Sequence, residues 1–206
     1  HDAFKKYSKL LNDQHSKKLV IMDQFGVKHV TPEILRFLSQ CKDTDVLFFI
    51  ASSYIKRFIE TPEIGHKFEK SKTLIKRSEY NAIHQSICNH YRNEVHSDDY
   101  FLAPFSLMKG KNIYGIIFGS SSLYGLEKFL NVCWKIDKQT GEANYSIDNE
   151  GFWNGKFSLF PEDNSIRKID IFKRELMDYL KRMRTNKDVY RFSLLHGFSP
   201  SKVTFI

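Results

Sequence analysis

Cysteine is scarce in this chain, with Cys41, Cys88 and Cys133 the only three in 206 residues and more than forty residues between neighbours. An odd number so widely spaced fits neither a disulfide framework nor a paired-cysteine zinc site, so the three read as reduced, structural thiols. Long apolar runs are also missing. Stretches such as "VLFFIA" are far too short to span a bilayer, and no signal-like leader heads the sequence, so the expectation is a cytoplasmic protein with no membrane partner. The Lys-Ser/Thr pair that closes a nucleotide-binding P-loop is absent after Gly125, where Leu126 stands. No histidine spacing supports a Ser-His-Asp hydrolase. His84, Cys88 and His90 crowd into one and a half helical turns with no fourth ligand nearby in sequence, so no metal is expected.

What is present is globular and basic. Hydrophobic residues make up 41% and charged residues 27%, values of a packed protein and not of a disordered one. The net charge of +8 points to an anionic partner. Its distribution is uneven: Ser165 to Ile206 holds ten Lys or Arg against four Asp or Glu, a surplus of six, leaving a surplus of two for everything before it.

The run Leu19 to Met22 is uninterrupted and apolar, which reads as a strand buried on both faces. It ends in Asp23, Gln24, Phe25 and Gly26. Thr31-Pro32 then marks a helix start, with Thr31 as cap and Pro32 in the first turn, and Ile34, Leu35 and Leu38 form its apolar stripe. "DVLFFIASS", Asp45 to Ser53, is a second buried strand, so the unit is strand, helix, strand with a right-handed parallel crossover. In open α/β sheets ligands sit beyond the carboxyl ends of the strands. That places Asp23 at a crevice beside Ser52, Ser53 and Tyr54, with helix capping as the plainer reading of the serines and a turn or helix-start acid as that of Asp23. A carboxylate there can accept a proton from an amine nucleophile, Gln24 can meet a polar substrate edge, and Phe25 can stack on a ring.

From Tyr54 to about His96 the pattern is helical and charged, broken at Thr61-Pro62. Tyr100 to Met108 and Asn112 to Gly119 form a β-hairpin turned at Lys109 to Lys111, and a helix follows from Leu126 to Trp134. "GSSSLYGLEKF" reads as strand exit and helix capping, with a phosphate contact as the alternative. The polar stretch Ile147 to Ser165 is the linker, giving residues 1–150 as an α/β domain, 151–164 as connection and 165–206 as a basic helical segment. In that segment a helix, a glycine turn and a helix start at Ser199-Pro200 make a helix-turn-helix or winged-helix candidate. Its cations Arg167, Lys168, Lys173, Arg174, Lys181, Arg182, Arg184, Lys187 and Arg191 are the expected nucleic-acid contacts; the alternative is a packing appendage with a solvated basic face.

Two helix-crossed strands followed by an antiparallel hairpin are similar to the second half of a class I S-adenosylmethionine-dependent methyltransferase sheet, a Rossmann-type α/β fold whose last strand is antiparallel. The segments "MDQFGVKHVTPEIL", "VLFFIASSYIKRF", "YFLAPFSLMKGKNIYGIIFGSSSLYGLEKFLNVCWKID", "TGEANYSID" and "TNKDVYRFSLLHGFSP" together resemble the three-Cys-motif partner proteins, from Lys18 to about Val203. That resemblance implies a bacterial, methyltransferase-like protein working with a partner that bears a three-cysteine motif. It also implies Asp23 and Phe25 as catalytic residues, with Gln24, Gly26, Ser52, Ser53 and Tyr54 at the substrate.

The chain departs from the family pattern at two points. Gln24 stands where amino-methyltransferases carry a proline, and residues 1–17 contain no glycine-bearing turn for S-adenosylmethionine, so the cofactor half is expected upstream. A half-sheet leaves Leu19–Met22 as an apolar edge that preceding residues, a second copy or another chain should cover. Two functions follow as expectations: the carboxyl-terminal part of a methyltransferase acting on nucleic acid, or a non-catalytic nucleic-acid-binding adaptor that retains the fold.

Overall fold

The computed structural model describes residues 6–22, 30–79, 82–95, 97–145 and 168–204. The chain packs as two units, 1–129 and 130–206. Asp23 to Gly26, Arg167 and the linker after residue 145 lie outside the described residues.

The first unit contains α1 (Ser8–Leu11), β1 (Lys18–Met22), α2 (Pro32–Gln40), β2 (Thr44–Ile50), α3 (Ser52–Phe58) and α4 (Pro62–Gly65). A 3-10 turn (His66–Ser71), α5 (Lys72–Arg77), α6 (Ile83–Val95), β3 (Phe101–Lys109), β4 (Asn112–Ser120) and the start of α7 (Leu123–Ile136) complete it. The strands form one open mixed sheet in the order β1-β2-β4-β3. β1 runs parallel to β2, with Val20 opposite Val46. β4 is antiparallel to both neighbours, and its Ile117 faces Phe48 on one side and Pro104 on the other. Pro104 is tolerated because β3 lies at the sheet edge.

The helix starts follow local chemistry. Thr31 caps α2 by accepting from the Ile34 N–H, Pro32 occupies the first turn, and Ile34, Leu35 and Leu38 bury the expected stripe. These three join Val46, Phe48, Ile55, Ile83, Ile87 and Tyr91 in the core of the unit. Gly119 lets β4 pass through the sheet's middle: a Cβ there would stand 2.6 Å from Val46, 2.7 Å from Leu102 and 2.9 Å from Tyr100. Side chains of both flanking strands therefore close over it.

Four expectations need correction. β1 is not buried on both faces. Among the described residues it pairs with β2 alone, and its side chains alternate, with Leu19 58% and Ile21 64% exposed while Val20 and Met22 pack on the core. On its outer face Tyr7, Leu10 and Leu11 build only a shallow apolar groove of about 390 Å³ with residues 19–22. β2 likewise alternates between buried and half-buried positions. Ser52, Ser53 and Tyr54 do not end β2 but form the first turn of α3. The helix expected over 126–134 extends from Leu123 to Ile136, because serine hydroxyls extend its start: Ser120 Oγ accepts from the Ser122 N–H at 2.9 Å and Ser122 Oγ from the Gly125 N–H at 3.4 Å.

The second unit holds the end of α7, a turn, α8 (Lys168–Tyr179), α9 (Asn186–Leu195) and α10 (Pro200–Val203). The unit boundary falls within α7 and not at the polar stretch, because Trp134 packs with the residues that follow. Its indole N–H donates to the Gly197 carbonyl at 2.9 Å and its ring lies 5.3 Å from Phe198. Asp137 folds the turn after α7, accepting from the backbone N–H groups of Gln139, Thr140 and Glu142 and from the Thr140 hydroxyl. Burial raises the Asp137 carboxyl, but these bonds outweigh it and hold the group below its ordinary value. Gly141, at φ +65°, sits flat against the Trp134 indole where a Cβ would come within 2.7 Å.

From there a chain of rings runs through the unit. Phe198 stacks on Phe172 at 4.1 Å, Phe172 lies 6.0 Å from Phe192, and Phe192 stacks on Tyr179 at 4.2 Å. α9 begins with a reciprocal cap between Thr185 and Asp188. Gly197, at φ +79°, turns the chain into α10, whose start at Ser199-Pro200 is where the sequence places it.

Candidate functional site

A cleft of about 420 Å³ lies at the amino end of α2, beginning four residues after the Asp23–Gly26 segment. Val30, the first described residue after that segment, lines it and is buried. The Tyr91 hydroxyl donates to the Val30 carbonyl at 3.1 Å, tying the start of α2 to α6. Thr31, Glu33, His66, Lys70, His90 and Glu94 contribute the polar walls.

His90 is the buried imidazole of this cleft. Its Nδ1 lies in hydrogen-bond contact with Ser71 Oγ at 3.2 Å, it also bonds the backbone of Lys67, and its ring packs 4.7 Å from Phe68. Burial lowers its pKa below 6.5, and the opposing pull of Glu94 does not restore it. Both commitments fix the ring as a neutral brace between α6 and the 3-10 turn. Lys70 pairs with Glu94 at 3.0 Å and holds that carboxyl low. The cleft is thus equipped to bind a polar group of mixed charge, with its one buried imidazole engaged by the scaffold.

The His90 brace carries a pH signature. Its folded pKa lies below the unfolded one, so its contribution to stability is complete above pH 6.5 and is lost as pH falls from there toward the folded value. The expected result is a urea midpoint that declines on acidification below 6.5. The His90→Gln variant should show a flatter profile over the same window, and an equally steep one would refute the assignment. Glu94 and Lys70 face the ring, and the Lys70 ammonium holds the Glu94 carboxyl below its ordinary value.

Of the serines expected at the crevice, both are buried and face the sheet. Ser53 Oγ accepts from the Ile113 N–H of β4 at 2.8 Å. Ser52 Oγ lies 3.1 Å from where a Cβ of Gly115 would be. Neither serine caps α3, which has no side-chain cap. Tyr54 is 47% exposed and leans on Phe58 at 4.6 Å. His84, Cys88 and His90 are all buried on α6, and among the described residues no three His, Cys, Asp or Glu side chains converge to hold a metal. The three thiols are free and buried, with Cys133 pushed up to about 12 by burial and Cys41 and Cys88 raised for the same reason.

The cations expected to contact nucleic acid divide into two groups. Lys168 belongs to the interior: it pairs with Glu142 at 2.8 Å, donates to the Thr140 carbonyl at 2.8 Å and lies over the rings of Trp134 and Phe198. Lys173, Arg174, Lys181, Arg182, Arg184 and Lys187 are exposed, and Arg191 is half-buried. Beside them Arg174, Glu175, Asp178, Tyr179, Phe192 and His196 line an open groove of about 550 Å³. The sequence pointed to the cations but not to the cleft at α2, whose walls come from three separate stretches. The one available signal was the density of His and Tyr in "ICNHYRNEV".

No family model, no curated protein and no solved structure matches the chain. No helix among the described residues is long and apolar enough to cross a membrane.

S-adenosylmethionine, which the methyltransferase resemblance implies, finds no fitting cradle among the described residues. At Gly125, the glycine near the junction of β4 and α7, a Cβ would meet Ser120 Oγ at 2.8 Å, so the space is already filled. The β2 to α3 junction carries Ala51 and two inward-facing serines.

Proposed function

We propose that this chain is the carboxyl-terminal part of a methyltransferase-like protein of the three-Cys-motif partner type, and that its second unit docks nucleic acid. The observation that carries the docking is the set of six exposed cations, Lys173, Arg174, Lys181, Arg182, Arg184 and Lys187, on a unit whose remaining lysine at the core, Lys168, is neutralised internally. The methyltransferase-like part rests on the sheet: a parallel β1-α2-β2 crossover followed by a last strand that runs antiparallel between β2 and β3. In this reading Asp23 and Phe25 act at the substrate and S-adenosylmethionine is held by residues upstream.

Phosphate contacts release counterions, so affinity for a short duplex should fall with salt. For about four contacts the slope of log K against log salt is about −3 to −4. Fluorescence anisotropy of a labelled 20-base-pair duplex over a salt series measures it. Absent or salt-independent binding removes the docking proposal. For the chemistry, calorimetry of S-adenosylmethionine with the full-length polypeptide is the deciding measurement, and no heat of binding removes the enzymatic part.

A second reading, a nucleic-acid-binding adaptor without chemistry, is favoured by Ser52 and Ser53 being turned into the sheet. Replacing Asp23 by alanine separates the two. Lost activity in a folded protein supports the enzyme, and an unchanged phenotype supports the adaptor.

A further inference from the structure

The loop between α8 and α9 has a feature that phosphate docking does not use. Met183 is exposed at 101% of its reference area, so its thioether chain touches nothing in the protein. It stands in "LKRMRTNK", Leu180 to Lys187, which contains four cations and no acid. Leaving a large apolar side chain in water gains nothing for the fold, and burying it elsewhere returns that free energy.

The loop is tied down at both ends. On the α8 side the Leu180 N–H donates to the Leu176 carbonyl at 2.9 Å and the Lys181 N–H to the Asp178 carbonyl at 3.2 Å, while the Lys181 ammonium pairs with Asp178 at 2.8 Å. Arg184 Nε donates to the Tyr179 carbonyl at 3.2 Å, and its guanidinium lies 4.0 Å over the Tyr179 ring. On the α9 side the Thr185–Asp188 cap closes the turn. Met183 is therefore held out by a short, braced loop, which lowers the ordering cost of inserting it into a partner.

Three partners could bury it, and the surroundings choose among them. Single-stranded bases need an open ring face to stack on. Tyr179 is covered by Phe192 and Arg184, and Phe192 by Tyr179 and His196, so neither ring beside the loop offers one. A protein partner would have to place carboxylates around four cations, whereas a duplex sets phosphates on both sides of every base step, and here cations flank the apolar residue on both sides. An apolar wedge between cations is the arrangement by which proteins enter a minor groove and unstack a base step. We infer that Met183 is an intercalating wedge: the second unit engages double-stranded nucleic acid with this loop at the minor groove, Arg182 and Arg184 on the flanking phosphates and Met183 between adjacent base pairs. The inference rests on the nucleic-acid reading above and adds to it the duplex form and the inserting residue.

The test uses the whole chain and a 20-base-pair duplex with 2-aminopurine at a central TA step, a step that unstacks easily. Wild-type protein should raise the 2-aminopurine fluorescence. Met183→Ala, which removes no internal contact and so leaves folding unchanged by circular dichroism, should abolish that rise and weaken binding about tenfold. Its salt slope should stay as in wild type, and Met183→Leu should restore both signals. Arg182→Gln should do the reverse, lowering the slope by about one while keeping the fluorescence change. Duplex binding with the full salt slope but no effect of Met183→Ala overturns the wedge alone. Failure of every variant and of wild type to bind the duplex overturns the docking reading with it. If Met183→Ala instead abolishes binding to phosphatidylserine vesicles and leaves the duplex signals intact, the residue serves a membrane surface and the wedge is refuted.

Discussion

Phe172→Ala should cost about 3–5 kcal/mol of stability, the range for deleting a fully packed phenylalanine. The ring is 1% exposed and joins the chain of aromatic contacts in the second unit, 4.1 Å from Phe198 and 6.0 Å from Phe192. Removing it leaves a cavity where Phe198 and His196 met it, and Phe198 is also the residue that meets Trp134. The measurement is urea denaturation followed by near-ultraviolet circular dichroism, which reports the stacked rings. Phe172→Leu, which keeps most of the volume, should recover more than half the loss. A cost below about 1 kcal/mol for the alanine variant would mean that α8 does not depend on this packing.

Phe48→Ala should have an effect of the same size, about 3–5 kcal/mol, and a different readout. Phe48 is fully buried in β2, and its ring meets Tyr91 edge to face at 5.3 Å. Tyr91 in turn holds the Val30 carbonyl, so the phenylalanine supports the cleft from below. Hydrogen exchange should accordingly quicken at Val30 and in the first turn of α2 at denaturant concentrations well below global unfolding. If exchange there stays at the wild-type rate while overall stability drops, the cleft is anchored by other contacts.

The parts of the fold legible in the sequence are those written in short stretches. Thr31-Pro32 carries both a cap and a first-turn proline, and Ile34, Leu35 and Leu38 recur at helical spacing, so α2 could be read residue by residue. The hairpin of β3 and β4 announces itself through two apolar runs and a short turn with Gly110. The edge position of β1 was expected from the half-sheet argument and not from its own residues, because Leu19–Met22 shows a preference for burial and says nothing of how many neighbours supply it. Ser52 and Ser53 were misplaced by one element for a related reason: a small polar pair after an apolar run marks a strand's end, and only the closeness of Gly115 and Ile113 on β4 reveals that both hydroxyls turn inward.

The cleft and the Trp134 assembly were hidden for a different reason. Tyr91 and Val30 are sixty-one residues apart, and Trp134 and Gly197 sixty-three. Contacts of that range leave no local pattern. The cations were legible as a surplus, but not their division. Lys168 reads like its neighbours until Glu142, Trp134 and Phe198 are seen around it. Asp23 to Gly26, on which the catalytic expectation depends, lie outside the described residues, so that expectation still rests on the sequence.

The burial of every sulfhydryl has a practical use. One sits at the end of α2, one within α6 and one near the end of α7. Because each is shielded and reluctant to ionise, alkylating reagents should mark them only when the surrounding segment opens. The molecule thus carries three native clocks of local breathing, readable peptide by peptide in a mass spectrometer without introducing any label.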